Sequence, residues 1–181
     1  MNRKETTAFL GDLLILDRFG GAGKYWAREV SIDYGTTDVK RVDFMQFEPG
    51  GVTAISSIEK GTFTCYEIKS CKEDVFSGNG LNFIGEKNYI VTTMECYKSI
   101  LEEFRNGKLD EHIEKCSPNS SHYYGIMVAI PKWSKAEDEF VNTTPLDPEK
   151  EWQLAVVIPC RMGQRKRSIT EMLFYMLRSG H

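Results

Sequence analysis

The sequence has few of the residues that build disulfide-rich, zinc-scaffolded or membrane-spanning proteins. Its 181 residues include five cysteines and three histidines. The cysteine count is odd and no two cysteines form a Cys-x-x-Cys pair, which argues against a disulfide framework or a zinc ribbon. His112, His122 and His181 have no partner at the spacing of metal ligands, so we assign them no role. No apolar run approaches the roughly 20 residues of a membrane span.

A recognisable secretory leader is also missing. The first apolar run, Phe9 to Leu16, is short, contains Asp12 and lacks a small-residue cleavage site after it. Because the cysteines also fit a reducing compartment, we predict a cytoplasmic protein without a membrane partner.

A glycine-rich run, Gly20-Gly-Ala-Gly-Lys24, is similar to a phosphate-binding loop but departs from it at two positions. Arg18 stands where the first glycine of that motif would be, and Tyr25 replaces its Ser or Thr. We therefore interpret the run as a turn and expect no nucleotide cofactor.

The chain has little net charge, and that charge is unevenly distributed. The formal charge of −3 argues against a protein that binds nucleic acid over its whole surface. Residues 160–181 hold five basic residues against one acidic residue, a net charge of +4, which leaves −7 for the remainder. Four of the basic residues suit contacts with phosphates: Arg161, Arg165, Lys166 and Arg167. The alternative is a solubilising loop before an amphipathic helix.

Hydrophobic periodicity and turn residues predict helices alternating with strands. The predicted helices cover residues 4–18, 70–76, 94–104 and 168–179, with Gly180 as the last stop, and the predicted strands cover 26–32, 42–45, 63–69, 88–91, 123–130 and 153–158. This order predicts an α/β fold in which helices flank a central mixed sheet. We predict one domain over 1–181: a core at about 4–130 with a last strand at 152–159, a surface excursion at 131–151, and a basic segment with a C-terminal helix at 160–181.

Polar residues inside two apolar strands are the clearest functional signal. Asp43 lies inside one apolar run, and Glu67 and Lys69 lie inside the next. Because side chains alternate faces along a strand, Glu67 and Lys69 share one face, while Tyr66 and Ile68 share the other. If the strand of Asp43 pairs beside them, two carboxylates and an ammonium converge. That set is the minimum for a magnesium-dependent attack on a phosphodiester.

Other interpretations of these acids stay open at this point. Glu67 and Lys69 would instead form a surface ion pair, with Asp43 capping a turn, although Asp and Lys are depleted from strands. Glu29, on the first predicted strand, is either a solvated carboxylate or a third acid of the metal site. The two roles cannot be separated without the pairing register of the strands.

The order of an N-terminal helix, a strand bearing Asp43, and Glu67-Ile68-Lys69 on the next strand is similar to the PD-(D/E)XK nuclease superfamily, which has the restriction-endonuclease-like fold. The run from Tyr66 to Phe76 resembles the EIK-S-x-x-D-F segment of MmcB-like DNA-repair proteins and their relatives in phages and prophages. The likeness covers about residues 26–95, and Val42 stands where the name of the motif expects proline.

This resemblance implies a three-layer domain that hydrolyses DNA with Mg²⁺ or Mn²⁺ in bacterial or phage DNA repair or processing. It implies that Asp43 and Glu67 ligate the ion with the Ile68 carbonyl, and that Lys69 positions or activates the attacking water. DNA is the expected partner. The apolar stripe at residues 172–177 either packs in the core or forms the surface of a homodimer. The alternatives are a non-catalytic module on the same fold that binds nucleic acid or protein, and a mobile-element regulator whose acidic surface engages a host nucleic-acid enzyme.

Overall fold

The computed structural model describes residues 1–51, 54–118, 121 and 123–179, so the predicted stop at Gly180 and the histidines 122 and 181 lie outside the described residues. Within these ranges the strands are β1 (Tyr25–Ile32), β2 (Lys40–Glu48), β3 (Thr62–Lys69), β4 (Lys87–Thr93), β5 (Gly125–Pro131) and β6 (Trp152–Ile158). The helices are α1 (Arg3–Arg18), α2 (Ser56–Glu59), α3 (Lys72–Val75), α4 (Met94–Arg105), α5 (Lys108–Cys116), α6 (Ala136–Val141) and α7 (Ile169–Ser179). None of these helices is both long enough and apolar enough to cross a bilayer.

The strands form one sheet in which they lie in chain order from β1 to β6. β1, β2 and β3 run antiparallel, β4 and β5 continue parallel to β3, and β6 returns antiparallel to β5. The parallel strands are buried on both faces, which explains why their sequences are nearly continuous apolar runs. The prediction of an α/β fold with a mixed sheet flanked by helices is confirmed.

Helices cover both faces of this sheet. α1 packs on one face, where Leu10 and Leu14 join a buried cluster with Tyr66 and Ile68 of β3. On the opposite face, α4 and α5 cover β4 and β5, while α7 covers β1 and β2. Met172 and Met176 are buried within the α7 cluster, so these two residues of the apolar stripe belong to the core. Leu177 of the same stripe is exposed.

Three helices have no counterpart in the sequence-based prediction. α5 begins after Gly107, whose positive φ of 82° turns the chain, and it buries only Leu109 and Ile113 among polar residues. α6 lies inside the predicted surface excursion and buries the carboxylate of Glu139, which accepts hydrogen bonds from Ser134 and Thr144. α2 is a single turn without a buried residue. Each has too few apolar positions to establish a period.

The glycine-rich run at residues 20–24 forms the turn between α1 and β1, as predicted. Gly21 and Gly23 adopt positive φ angles, and the Lys24 ammonium donates to the Arg18 carbonyl at 3.0 Å.

Candidate active site

The pairing of β2 with β3 ends beside Asp43. The ladder runs from Glu48 opposite Thr62 to Phe44 opposite Tyr66. Continuing the same register would place Asp43 opposite Glu67, but the ladder stops one residue earlier. Instead, the Asp43 carboxylate accepts the backbone N–H of Ile68 at 2.8 Å. Asp43 therefore lies across the open end of the two strands, next to Glu67.

Glu67 and Lys69 share the face of β3 opposite α1, which confirms the predicted alternation. Tyr66 and Ile68 pack under α1 on the other face. Glu67 has no exposed surface and Lys69 is 4% exposed. Within the described chain these two side chains make no ion pair with each other. The alternative of a surface ion pair between Glu67 and Lys69 is therefore wrong, because both side chains are buried and their charged groups do not contact each other.

One oxygen of Glu67 lacks a partner. Oε1 accepts the backbone N–H of Asn82 at 3.1 Å, whereas the buried Oε2 has no partner of normal hydrogen-bond geometry. The backbone N–H groups of Asn82 and Leu81 both favour the charged form of this carboxylate and lower its pKa, although burial outweighs them. Such an orphaned oxygen is rare in a folded core because desolvation without a compensating bond costs free energy. A Cβ added at Gly80, which has φ of +74°, would lie 2.8 Å from this oxygen and 3.0 Å from Lys69 Nζ. The glycine therefore leaves open the space beside both groups.

The Gly78–Gly80 turn also positions the lysine. Lys69 Nζ donates to the Asn79 carbonyl at 2.7 Å, and both glycines of the turn have positive φ. An ammonium has three donors, so this bond fixes the head group while leaving donors for another acceptor. The turn thus holds a buried cation at the end of β3.

Burial dominates the electrostatics of the two acids. It raises the pKa of Glu67 to about 8, and the negative charge of Asp43 adds to this rise while Lys69 opposes it. Burial also raises the pKa of Asp43, against the opposing effects of the Ile68 N–H and of Lys69. Two neighbouring carboxylates that resist ionisation gain stability when a further cation joins them. The pair is therefore a candidate cation site.

The donor set consists of two carboxylates. No group of three His, Cys, Asp or Glu side chains suited to a metal occurs in the part of the chain that the structure describes. Magnesium commonly binds through one or two carboxylates and keeps several waters, so Asp43 and Glu67 are a sufficient protein contribution for that ion. The predicted role of the Ile68 carbonyl stays a prediction.

These groups line an open cleft of about 900 Å³ at the point where the pairing of β2 with β3 ends. Glu29 lies at its rim, where its side chain is 56% exposed and pairs with Arg41 at 2.7 Å. A left-handed φ of 55° at Glu29 interrupts the regular alternation of β1. The structure thus places Glu29 in the cleft as a solvated, paired carboxylate, and its role as a third metal ligand stays a prediction.

The basic segment divides into two kinds of residue. Arg165 donates to Glu86 at 2.6 Å, and Arg167 donates to Asp33 at 2.7 Å, so both tie the segment to the domain. Arg161 and Lys166 are exposed and make no ion pair with the described residues. Only Arg161 and Lys166 thus keep side chains free for the predicted phosphate contacts.

Two residues of the loop after α3, and Asp74 within α3, contribute to the cleft although the sequence patterns predicted no role for them. Gly80 leaves space at Glu67, and the Asn82 N–H holds Glu67 Oε1. Asp74 lines the same cleft and accepts hydrogen bonds from Ser70 and from Arg3 of α1. The sequence signals for this loop are the Gly78-Asn-Gly80 turn and the Gly80-Leu-Asn-Phe83 run, which resembles a run in the MmcB-like relatives.

No protein-family model, no curated protein and no solved structure matches this chain. The function is therefore inferred from the residues and geometry of the cleft.

Proposed function

We propose that this protein is a Mg²⁺- or Mn²⁺-dependent hydrolase that cleaves phosphodiester bonds in DNA, and that it serves bacterial or phage DNA repair or processing. The observation that carries the proposal is the buried, unpartnered Oε2 of Glu67 beside Asp43 and Lys69. The order of α1, an antiparallel β1–β2–β3 and a parallel β4 supports a restriction-endonuclease-like domain, because the acids fall on the strands which that resemblance implies.

The residues present fit a divalent cation. Asp43 and Glu67 would hold it, with the Ile68 carbonyl as a further contact, and Gly80 leaves room beside Glu67 Oε2. When bound, such an ion supplies positive charge to the phosphate oxygens and lowers the pKa of an attacking water.

Lys69 would act on the same phosphate or on the water. Its bond to Asn79 fixes the ammonium in advance, so no side-chain ordering is needed when the substrate arrives. Because Lys69 is buried, its charge is less screened than that of a surface lysine and stabilises developing negative charge more strongly. Arg3 and Arg41 also lie on the rim of the cleft, but each is already paired with a carboxylate, Arg3 with Asp74 and Arg41 with Glu29.

A non-catalytic nucleic-acid-binding module is the second candidate. It is favoured by one observation: Lys69 already bonds to the Asn79 carbonyl, and this bond also holds the Gly78–Gly80 turn. In such a module the buried charges would shape the cleft without chemistry.

DNA cleavage separates the two candidates. Plasmid and oligonucleotide DNA are incubated with the wild type, Glu67→Gln and Lys69→Met in Mg²⁺, in Mn²⁺ and in EDTA. We expect metal-dependent cleavage by the wild type and a loss of about 10²-fold or more in each variant, the typical effect of removing one electrostatic contact in a catalytic site. Glu102→Gln, at an exposed position of α4, is the matched control and should cleave normally.

Two outcomes would count against the hydrolase. Equal cleavage by the wild type and both site variants would show that the cleft does not catalyse the reaction. DNA binding by the folded wild type without cleavage in either metal would select the binding module.

A further inference from the structure

A second cavity, of about 360 Å³, adjoins the cleft of Glu67. The two spaces share three lining residues, Asp38, Lys40 and Asn82, so they lie side by side. Asn82 is a fixed part of the wall between them. It is 4% exposed, its amide group donates to the Arg41 carbonyl, and its amide oxygen accepts from the Ser117 hydroxyl.

The charges around this second cavity are not all neutralised. Arg167 is bound to Asp33 at 2.7 Å, so this cation is already paired. Lys40 contacts Asp38 at a longer distance of 3.8 Å, and the Asp38 side chain is 79% exposed, which makes the pair weak and screened by water. Lys166 is exposed and has no ion pair within the described ranges.

The backbone holds Lys166 beside the cavity. Its N–H donates to the Ile84 carbonyl at 3.3 Å, and the neighbouring residues Arg165 and Arg167 are both anchored by ion pairs. The backbone of Lys166 is therefore held in place, while its side chain stays flexible. Two ammonium groups, those of Lys40 and Lys166, line one small space with donors to spare.

We infer that this cavity binds a backbone phosphate of the same nucleic-acid strand, adjacent to the phosphodiester held at Glu67, through Lys166 and Lys40. The identification of the ligand as nucleic acid rests on the proposed function. An ammonium is a compact point charge with rotatable donors, which suits a phosphate that approaches without a fixed orientation. Because the two spaces lie side by side, a strand whose phosphodiester lies at Glu67 can place a neighbouring phosphate in this cavity.

The first test measures oligonucleotide binding in EDTA, where no metal-dependent cleavage interferes. Removal of one phosphate contact lowers the slope of log K against log salt by about 0.7 to 0.9. We expect this change in Lys166→Ala and in Lys40→Ala, with a fivefold to tenfold loss of affinity at low salt. Lys135→Ala is the matched control, because Lys135 is exposed and lines neither cavity.

The second test locates the contact on the strand. Oligonucleotides that carry one neutral methylphosphonate at successive positions are bound to the wild type and to Lys166→Ala. We expect one position to weaken binding to the wild type severalfold and to have no further effect in Lys166→Ala.

The outcomes separate this site from the proposed chemistry. A wild type that cleaves DNA, together with a Lys166→Ala variant of unchanged salt slope and unchanged methylphosphonate profile, would overturn the phosphate site and leave the hydrolase intact. The expected binding changes in a protein that never cleaves would retain the phosphate site and remove the hydrolase. Stabilisation by inorganic phosphate that depends on Lys166, without any effect on oligonucleotide binding, would overturn the assignment to a strand.

Discussion

Asp43 accepts the backbone N–H of Ile68 at the point where the ladder between β2 and β3 has ended. One side chain thus completes the hydrogen bonding of a strand end and brings a carboxylate beside Glu67. The structural and chemical roles of Asp43 are separable by mutation, because an amide oxygen can accept the same N–H but a methyl group cannot.

Asp43→Ala should destabilise the domain by about 1 to 3 kcal/mol, the cost of leaving a buried N–H unpaired. Asp43→Asn keeps an acceptor for Ile68 and should stay within about 1 kcal/mol of the wild type. Both variants should lose metal-dependent cleavage. Urea unfolding in EDTA measures the stabilities, and an equal loss in the two variants would contradict a structural role for the Asp43–Ile68 bond.

Ionisation of Glu67 should make the stability of the metal-free protein depend on pH. The folded pKa of about 8 lies above the ordinary value of 4.5, so between these values the folded state keeps a proton that the unfolded chain has lost. The stabilisation that comes from protonated Glu67 is therefore fully present below about pH 4.5 and is lost as the pH rises through 8, by roughly 5 kcal/mol in all.

Glu67→Gln removes the ionisable group and should flatten this part of the curve. Thermal or urea unfolding between pH 5 and pH 9 in EDTA is the measurement, with Glu102→Gln as the control that keeps the wild-type slope. A wild-type stability that does not fall over this range would mean that Glu67 ionises normally.

Gly80 and Gly78 offer a matched pair of substitutions. Both have positive φ, near +80°, so alanine at either position carries about 1 to 2 kcal/mol of backbone strain. Only at Gly80 would the new Cβ lie against Glu67 Oε2 and Lys69 Nζ; at Gly78 the nearest atom is Cys116 Sγ at 3.8 Å.

Gly80→Ala should therefore abolish both cleavage and the rise in melting temperature on adding Mn²⁺, whereas Gly78→Ala should retain both at reduced stability. Differential scanning fluorimetry with and without Mn²⁺ gives the second readout. Similar responses to Mn²⁺ in the two variants would show that the space beside Gly80 does not receive the ion.

Arg165 should behave as a structural residue. Its side chain is 21% exposed and pairs with Glu86, which also accepts the Phe63 N–H. Arg165→Ala leaves the half-buried Glu86 without its cation and should cost about 1 to 3 kcal/mol. Arg161→Ala, at an exposed position, should leave stability unchanged; a stability loss in Arg161→Ala instead would reverse this division of the basic segment.

The strands and the central acids were accessible from the sequence because each carries a local signal. Alternation within β3 is enough to put Glu67 and Lys69 on one face, and a charged residue inside an apolar strand is conspicuous. The antiparallel pairing of β2 and β3 then follows from their closeness in the chain. The sequence patterns did not predict α5 and α6, because each helix has too few apolar residues to show a helical period.

The remaining features depend on contacts between distant segments. Arg167 pairs with Asp33 and Arg165 pairs with Glu86, across 134 and 79 positions of the chain, so no local sequence pattern predicts either pair. The left-handed backbone at Glu29 and the approach of Gly80 to Glu67 are likewise set by tertiary packing. Sequence patterns therefore identified the acids, while the shape of the cleft required the structure.

The packing of α7 on β1 and β2 has a consequence for biosynthesis. Val30, Val42 and Met45 form an apolar surface that Met172 and Met176 of α7 bury in the folded protein. The ribosome translates these two methionines only after β4, β5 and β6. While the ribosome makes those intervening strands, the nascent chain presents this surface to solvent, the kind of exposure that recruits chaperones and invites aggregation. The first three strands, although they already contain both acids, thus reach their mature packing only when the residues of α7 emerge.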